Sequence, residues 1–329
     1  MSDEAPPESR DGDVRSLSGA ERRLEAAAVF LASDRIDEAV SEARRAGELA
    51  RTAGNDGELA RSENLLGEIA WDRGRWEEAS RLFGAAREHA EAAGDGALLL
   101  RIESNDAAVQ ADLGQGELAR ESLAAALTRL ALVDDHPDAI RILRNLGRVL
   151  GAVDQVAAAD DLLLRGMRIA KRRADTSAGV MLAIERARVA LAHGDVVRAD
   201  ALRGTAAALA GGTESVALRS ESACLQGEIL RIAGRAEEAE RTLREALRLT
   251  EEAGADAVAA RAWRELAEVE AGRDRPAEAL RALDAARLRF VALGARARAA
   301  EAAHRAVEIG ARASSPPPSG PVAAPEDRS

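Results

Sequence analysis

The sequence repeats itself every 40 residues, and this limits what it can fold into more than any other feature. Alanine recurs at Ala39, Ala79, Ala119, Ala159, Ala199, Ala239 and Ala279. Twelve residues before each stands a second small residue: Ala27, Gly67, Ala107, Gly147, Ala187, Gly227 and Ala267. Seven residues after each comes a third: Ala46, Ala86, Ala126, Gly166, Ala206, Ala246 and Ala286. Between the first two lies a turn series, Asp34, Gly74, Gly114, Asp154, Gly194, Gly234 and Asp274. Four series in register over seven copies exceed what an alanine-rich chain produces by chance.

A period of this size marks a repeat architecture. Larger apolar residues flank the small slots at helical spacing, as in Leu66, Ile69 and Phe83 or Leu225, Ile229 and Leu243. Each unit therefore reads helix, tight turn, helix. Two helices that cross closely need small residues where they touch. The small slot before the turn and the alanine after it are the expected contact pair. The Gly or Asp between them is expected to end one helix and cap the next. A second turn, at Gly54, Gly94, Asp134, Gly254 and Gly294, closes most units. One hairpin cannot bury its own apolar face, but stacked neighbours can. Aromatics make up 2% of the chain, with no tyrosine, so the core is alanine and leucine and a large β-sandwich is excluded.

These residues resemble the tetratricopeptide repeat (TPR). The clearest copy runs Leu66-Gly67, Gly74, Trp76, Ala79, Phe83, Ala86, and another runs Gly227, Gly234, Ala239, Leu243, Ala246. The period is longer than the common one of about 34, and the unit-ending proline is missing. The first-helix aromatic slot is filled once, by Phe30. This is similar to the longer-repeat TPR arrays of signalling adaptors and bacterial regulators. The resemblance implies an all-α fold, a right-handed α-solenoid of seven helix-turn-helix repeats plus a C-terminal capping helix, over residues 18–312. Ser18 and Glu21 read as a capping box opening the first helix. Residues 298–313 read as the solvated final helix. The acidic segment 1–17 and the proline-rich tail 313–329 are expected to be disordered. The fifth unit, with Arg186 and Arg203 in apolar slots and Gly204, Gly211 and Gly212 in its second helix, is expected to be soft near residues 203–214.

The net charge is −11 and the pI about 5.1, which argues against general nucleic-acid binding and against anionic membrane surfaces. No apolar run reaches the length of a membrane span, and no secretory signal is visible, so a cytoplasmic protein is expected. Catalytic and cofactor signatures are absent: no phosphate-binding GxxxxGK[ST], no GxGxxG after a strand, no HExxH. His89, His136, His193 and His304 lie in different units and read as surface residues, with His193 beside Gly194 in a capping role. Cys224, the single cysteine, reads as a buried structural thiol. A non-enzymatic chain with no cofactor and no metal is expected.

Function is then left to the concave face, which the first helix of each TPR hairpin lines. Residues six, three and two before the small slot, and one after, should face it. Units two to four place Arg61, Arg101, Arg141, Arg144 and Arg148 there, with Asn64, Asn105 and Asn145. Trp71 edges the same face, Trp76 reads as packing, and Trp263 is ambiguous. Guanidinium forks grip carboxylates, and Asn can hold a peptide backbone through both its C=O and NH2. The stretch suits an acidic peptide segment. The alternative is that these arginines pair with Glu68, Asp72 or Glu103 on neighbouring helices. The expected function is a protein–protein interaction scaffold or adaptor; the alternative is a peptide sensor whose superhelix changes shape on binding. The oligomeric state is left open.

Overall fold

A computed structural model describes residues 17–33, 35–134, 136–210 and 215–314. Among them the chain is all α-helical, with fifteen α-helices, one short 3-10 helix and no strand. The helices are α1 Gly19–Ala32, α2 Ile36–Ala53, α3 Asp56–Asp72, α4 Trp76–Ala93, α5 Gly96–Leu113, α6 Gly116–Thr128, α7 Ala139–Ala152 and α8 Val156–Arg172. They continue as α9 Thr176–Ala192, α10 Val196–Ala210, α11 Val216–Ile232, α12 Ala236–Ala253, α13 Asp256–Gly272, α14 Pro276–Ala292 and α15 Arg296–Ser314. They pack as seven consecutive hairpins, an α-solenoid, followed by α15. The segments 1–16 and 315–329, and Asp34, Gly211 and Gly212, lie outside the described residues.

The two helices of a hairpin start differently. Side chains cap most odd-numbered helices: Asn55 accepts from Glu58 N–H, Asp95 from Leu98 N–H, and Asp175 from Ala178 N–H. The Ser18/Glu21 capping box is complete in both directions at 2.9 Å. The N-cap residues of α2, α4, α6, α8, α12 and α14, such as Arg75 and Gln155, make no side-chain cap bond. The turn series does not cap the second helix, contrary to the expectation from sequence. It adopts the left-handed conformation, at φ 73° for Gly74, 62° for Asp154 and 57° for Asp274. This reverses the chain so that the next N–H reaches back five residues, as in Arg75 N–H to Ala70 O at 2.8 Å and Gln155 N–H to Leu150 O at 2.9 Å. Asp tolerates this conformation better than most side chains, which explains why it alternates with Gly here.

The contact pair also differs from the expected one. A Cβ added to Gly67, Gly147 or Gly227 would lie 2.7 Å from Phe83, 2.6 Å from Leu163 or 2.5 Å from Leu243. The small slot therefore receives the large apolar side chain one turn beyond the registered alanine. The alanines Ala79, Ala159 and Ala239, fully buried, let the helices approach. The third series serves the next interface: a Cβ on Gly166 would meet Leu182 of the following hairpin at 3.1 Å.

The third hairpin departs from the period. Helix α6 stops at Thr128, a 3-10 turn spans Leu130–Leu132, and α7 begins only at Ala139. Pro137 lacks an N–H and disfavours helix in the residue before it, so a full-length connection cannot form. Val133 is buried in this detour, and Asp134 bonds Arg165 at 2.6 Å.

The array curves far enough to meet itself. Phe290, Leu293, Ala295 and Ala299 share one hydrophobic cluster with Trp76, Phe83 and Leu98. Arg296 pairs with Glu77 at 3.1 Å, and Arg298 donates to Ala111 O at 3.0 Å. The sequence reading gave α15 a solvating role. It also joins the end of the superhelix to the second and third hairpins, around a central lumen.

Candidate functional site

Odd-numbered helices line the lumen. Positions six and three before the small slot and one after it face inward, as in Arg141, Arg144 and Arg148 on α7. The position five after it does so as well, bringing in Asp72 and Asp112 from the last turns of α3 and α5.

Units two to four are organised around Glu68. This carboxylate is buried (4% exposed) and receives Arg101 at 2.9 Å, Arg141 at 2.7 Å, Asn64 Nδ2 at 3.0 Å and Asn105 Nδ2 at 2.8 Å. Burial alone would raise its pKa, but the two arginines outweigh that and hold it below the ordinary carboxylate value. Asn105 also donates to Asn64 Oδ1 at 3.2 Å, and Asn145 to Asn105 Oδ1 at 3.0 Å. The three amides thus form a buried ladder, one rung per repeat. Arg61 pairs with Asp95 at 3.6 Å, and Arg101 also with Asp138 at 3.0 Å. Glu103 is taken by Arg129 at 2.9 Å.

Trp71 and Arg148 meet at Asp112. The indole N–H donates to Asp112 Oδ2 at 3.0 Å, Arg148 forms a close ion pair with the same carboxylate, and its guanidinium lies 5.8 Å from the Trp71 ring centroid. Arg148 also donates to Ala108 O at 2.9 Å. Arg144 is different. Among the described residues it has no carboxylate within ion-pair distance and donates only to Met181 Sδ, at 3.3 Å. Burial lowers its pKa. It faces a 480 Å³ cavity with Trp71, Asp72, Arg141 and Met181. Asp72 is open to this cavity, and the desolvation there pushes its pKa up.

A second cavity, of 420 Å³, lies on the other side of Arg148. Five arginines (Arg148, Arg188, Arg261, Arg264 and Arg298) and three carboxylates line it. Arg188, Arg261 and Arg264 stand at the same positions relative to their small slots as the groove arginines of units two to four, one after, six before and three before, but no sequence signal singles them out. Nor does any single out Arg298, which enters only because α15 folds back. Glu221 binds both Arg188 and Arg261, the latter at 2.7 Å. Burial would raise its pKa, but those two charges overcome it and hold it at about 2.

Cys224, buried beside these groups, has its thiol pushed up to about 12 by burial. Its arginine neighbours, Arg188 and Arg261, come from other helices. Of the histidines, His193 caps α9 through Val189 O at 2.8 Å, and His89 pairs with Asp56 at 3.0 Å. His136 is buried, not on the surface as expected; it lies in the detour before α7, where its Nδ1 accepts from Asp138 N–H at 3.0 Å. Trp76 is buried as packing, and Trp263 is half-buried under Arg289. Among the described residues no group of three or more His, Cys, Asp and Glu is placed to hold a metal, and no helix is long and apolar enough to cross a membrane.

No protein-family model matches the sequence, and no curated protein matches it. Solved structures do. A Rap protein complexed with competence and sporulation factor is 13% identical with a TM-score of 0.57, over 89% of this chain and 98% of that one. The Rap conjugation gene regulator of plasmid pLS20, in complex with the Phr* peptide, is 14% identical with a TM-score of 0.62, over 88% and 82%. The apo quorum sensor NprR from B. thuringiensis is 14% identical with a TM-score of 0.56, over 82% and 76%. The fold is that of TPR-type repeat proteins.

Proposed function

We propose that this TPR-type superhelix is a non-enzymatic binding protein that holds a peptide segment of a partner in its lumen, with an acidic side chain of that segment at Arg144. The observation that carries the reading is Arg144 itself, a guanidinium that faces a 480 Å³ cavity and, among the described residues, has no carboxylate within ion-pair distance; Asp72 shares the cavity without pairing to it. A desolvated cation without a directly paired carboxylate favours an anionic guest. Trp71 and Met181 on the same wall offer apolar contact beside it. Two of the structurally similar proteins are described as complexes, one with a peptide and one with a sporulation factor, which supports a bound peptide or protein ligand here.

The test is capture from native lysate by the wild type and by Arg144→Gln. Arg101 and Arg141 are unsuitable targets, because removing either strips a counter-ion from buried Glu68. Partners lost with Arg144→Gln support the reading; partners retained at wild-type yield sink it. A second reading, a sensor that changes shape, is favoured by the contact of α15 with the second and third hairpins. That contact gives the lumen a joint that a ligand could tighten. Small-angle scattering with and without the captured peptide separates the two: a smaller radius of gyration supports the sensor, and an unchanged one supports the scaffold.

A further inference from the structure

The second cavity adds something the first does not. Its walls come from α13 and α15 on one side and from α5, α7 and α9 on the other, so it lies where the end of the array meets its middle. The arginines facing it are unequally satisfied. Arg188 has Glu221 and Glu185, and Arg148 has Asp112. Arg261 uses one nitrogen on Glu221, while its buried Nε finds no acceptor. Arg264 leans on Glu265, which already has Arg231 at 2.8 Å. Arg298 reaches a backbone carbonyl, and its nearest carboxylate, Asp112, stands at 4.0 Å. Burial, set against the attraction of Asp112 and reinforced by Arg261, Arg148 and Arg264, lowers the Arg298 pKa to about 10. Three guanidiniums with unused donors therefore line one space; Glu221 and Glu265, which partner Arg261 and Arg264, lie outside its lining, while Asp112, Glu185 and Glu301 share the walls with the five arginines. A buried donor without an acceptor costs free energy until something supplies one.

We propose that Arg261, Arg264 and Arg298 form a carboxylate-binding subsite of the lumen, which takes the anionic end or an acidic side chain of the bound peptide. This rests on the peptide-binding reading above. The planar forks suit carboxylate oxygens, which accept bidentately. The subsite spans α13 and α15, so its occupant also bridges two elements of the closing contact.

Two synthetic probes distinguish the sources of the carboxylate: hexaglutamate amidated at its C-terminus, and hexaglycine with a free C-terminus and an acetylated N-terminus. Binding of each is measured by calorimetry to the full chain, to Arg298→Gln and to Arg264→Gln, with exposed Arg312→Gln as the control on the same helix. The expected result is that at least one probe binds, and that both lumen variants weaken it at least tenfold while Arg312→Gln does not. Binding of hexaglutamate alone assigns the side-chain source, and binding of hexaglycine alone the terminal one. Unchanged melting temperatures exclude misfolding as the cause, and Arg264→Gln serves if Arg298→Gln fails that check. No binding of either probe, or binding that inorganic phosphate replaces at equal concentration, overturns the subsite. So does binding that is lost with Arg144→Gln but kept by both lumen variants; in that case peptide binding stands and the subsite alone falls.

Discussion

Two regions of the inner face are built from the same residue types and end in opposite states. Around Glu68, two arginines and two amides converge on one carboxylate, and the Asn ladder carries the bonding across three repeats. Around Arg298, guanidiniums outnumber the acceptors that reach them, and Arg261 Nε is left without one. The first region is a nearly saturated buried network, with Asn145 Oδ1 left over at the end of the ladder, and it stiffens a stack. The second has donors to spare. A basic stretch in a sequence therefore measures charge, and the acceptors supplied by the neighbouring repeats decide how much of it can meet a ligand.

Removing the hub of the first region should have the largest effect. Glu68→Ala removes the shared carboxylate of Arg101 and Arg141 and the acceptor of buried Asn64 Nδ2, leaving Arg101 with Asp138 and Asn105 with Asn64 Oδ1. A loss of about 3–5 kcal/mol is expected, read from the shift in urea midpoint. A loss below about 1 kcal/mol would mean the network is not saturated, and the contrast would collapse.

Acidification comes next, and it probes both regions. Glu221 is held at about 2 when folded, against an ordinary value near 4.5. Its folded pKa is depressed, so its contribution to stability is complete above the ordinary value and lost as pH falls from about 5 towards 2. Glu68, also depressed, follows the same sign. Carbon-detected titration of the Glu221 carboxyl should show a midpoint well below 4; a midpoint at or above 4 removes the claim that Arg188 and Arg261 hold it.

Asn145→Leu should cost less, about 1–3 kcal/mol, because it leaves Asn105 Oδ1 without the Asn145 donor in a buried site. Hydrogen exchange should locate the loosening in α5 and α7. The smallest effect belongs to the second region. Arg264→Gln should change stability by under about 1 kcal/mol, since Arg231 still neutralises Glu265. Equal destabilisation by Arg264→Gln and Glu68→Ala in the same melts would show that the two regions are alike after all.

The hairpin repeat was open to reading because it rests on side-chain volume within a short stretch. Gly147 and Leu163 must fit each other whatever the rest of the chain does. The partner of the small slot was misplaced by one turn, because spacing cannot tell which of two same-face residues reaches in. The site was less legible. Many acceptors come from another helix, as Glu68 does for Arg101 and Arg141, so pairing depends on the offset between stacked helices. Asp72 enters the sequence reading only as a possible partner of the arginines, and Asp112 has no signal there, because both lie five residues beyond the small slot, outside the positions expected to face the groove. Arg298 carries no periodic signal at all, since its place follows from the curvature of the whole array.

That curvature has a consequence for how the chain reaches its structure. Repeat arrays ordinarily fold as one-dimensional chains, in which each unit consults only its neighbours and the ends fray first. Here residues 219 positions apart, Glu77 and Arg296, are bonded, and Arg298 is bonded to Ala111 187 positions away. Such distant contacts raise the contact order and slow the last step of folding. On the ribosome, the second and third hairpins would emerge with one flank of Trp76 and Phe83 still waiting for Phe290 and Leu293. The final helix would then dock as a late, rate-setting event that converts a string of independent units into a single cooperative body.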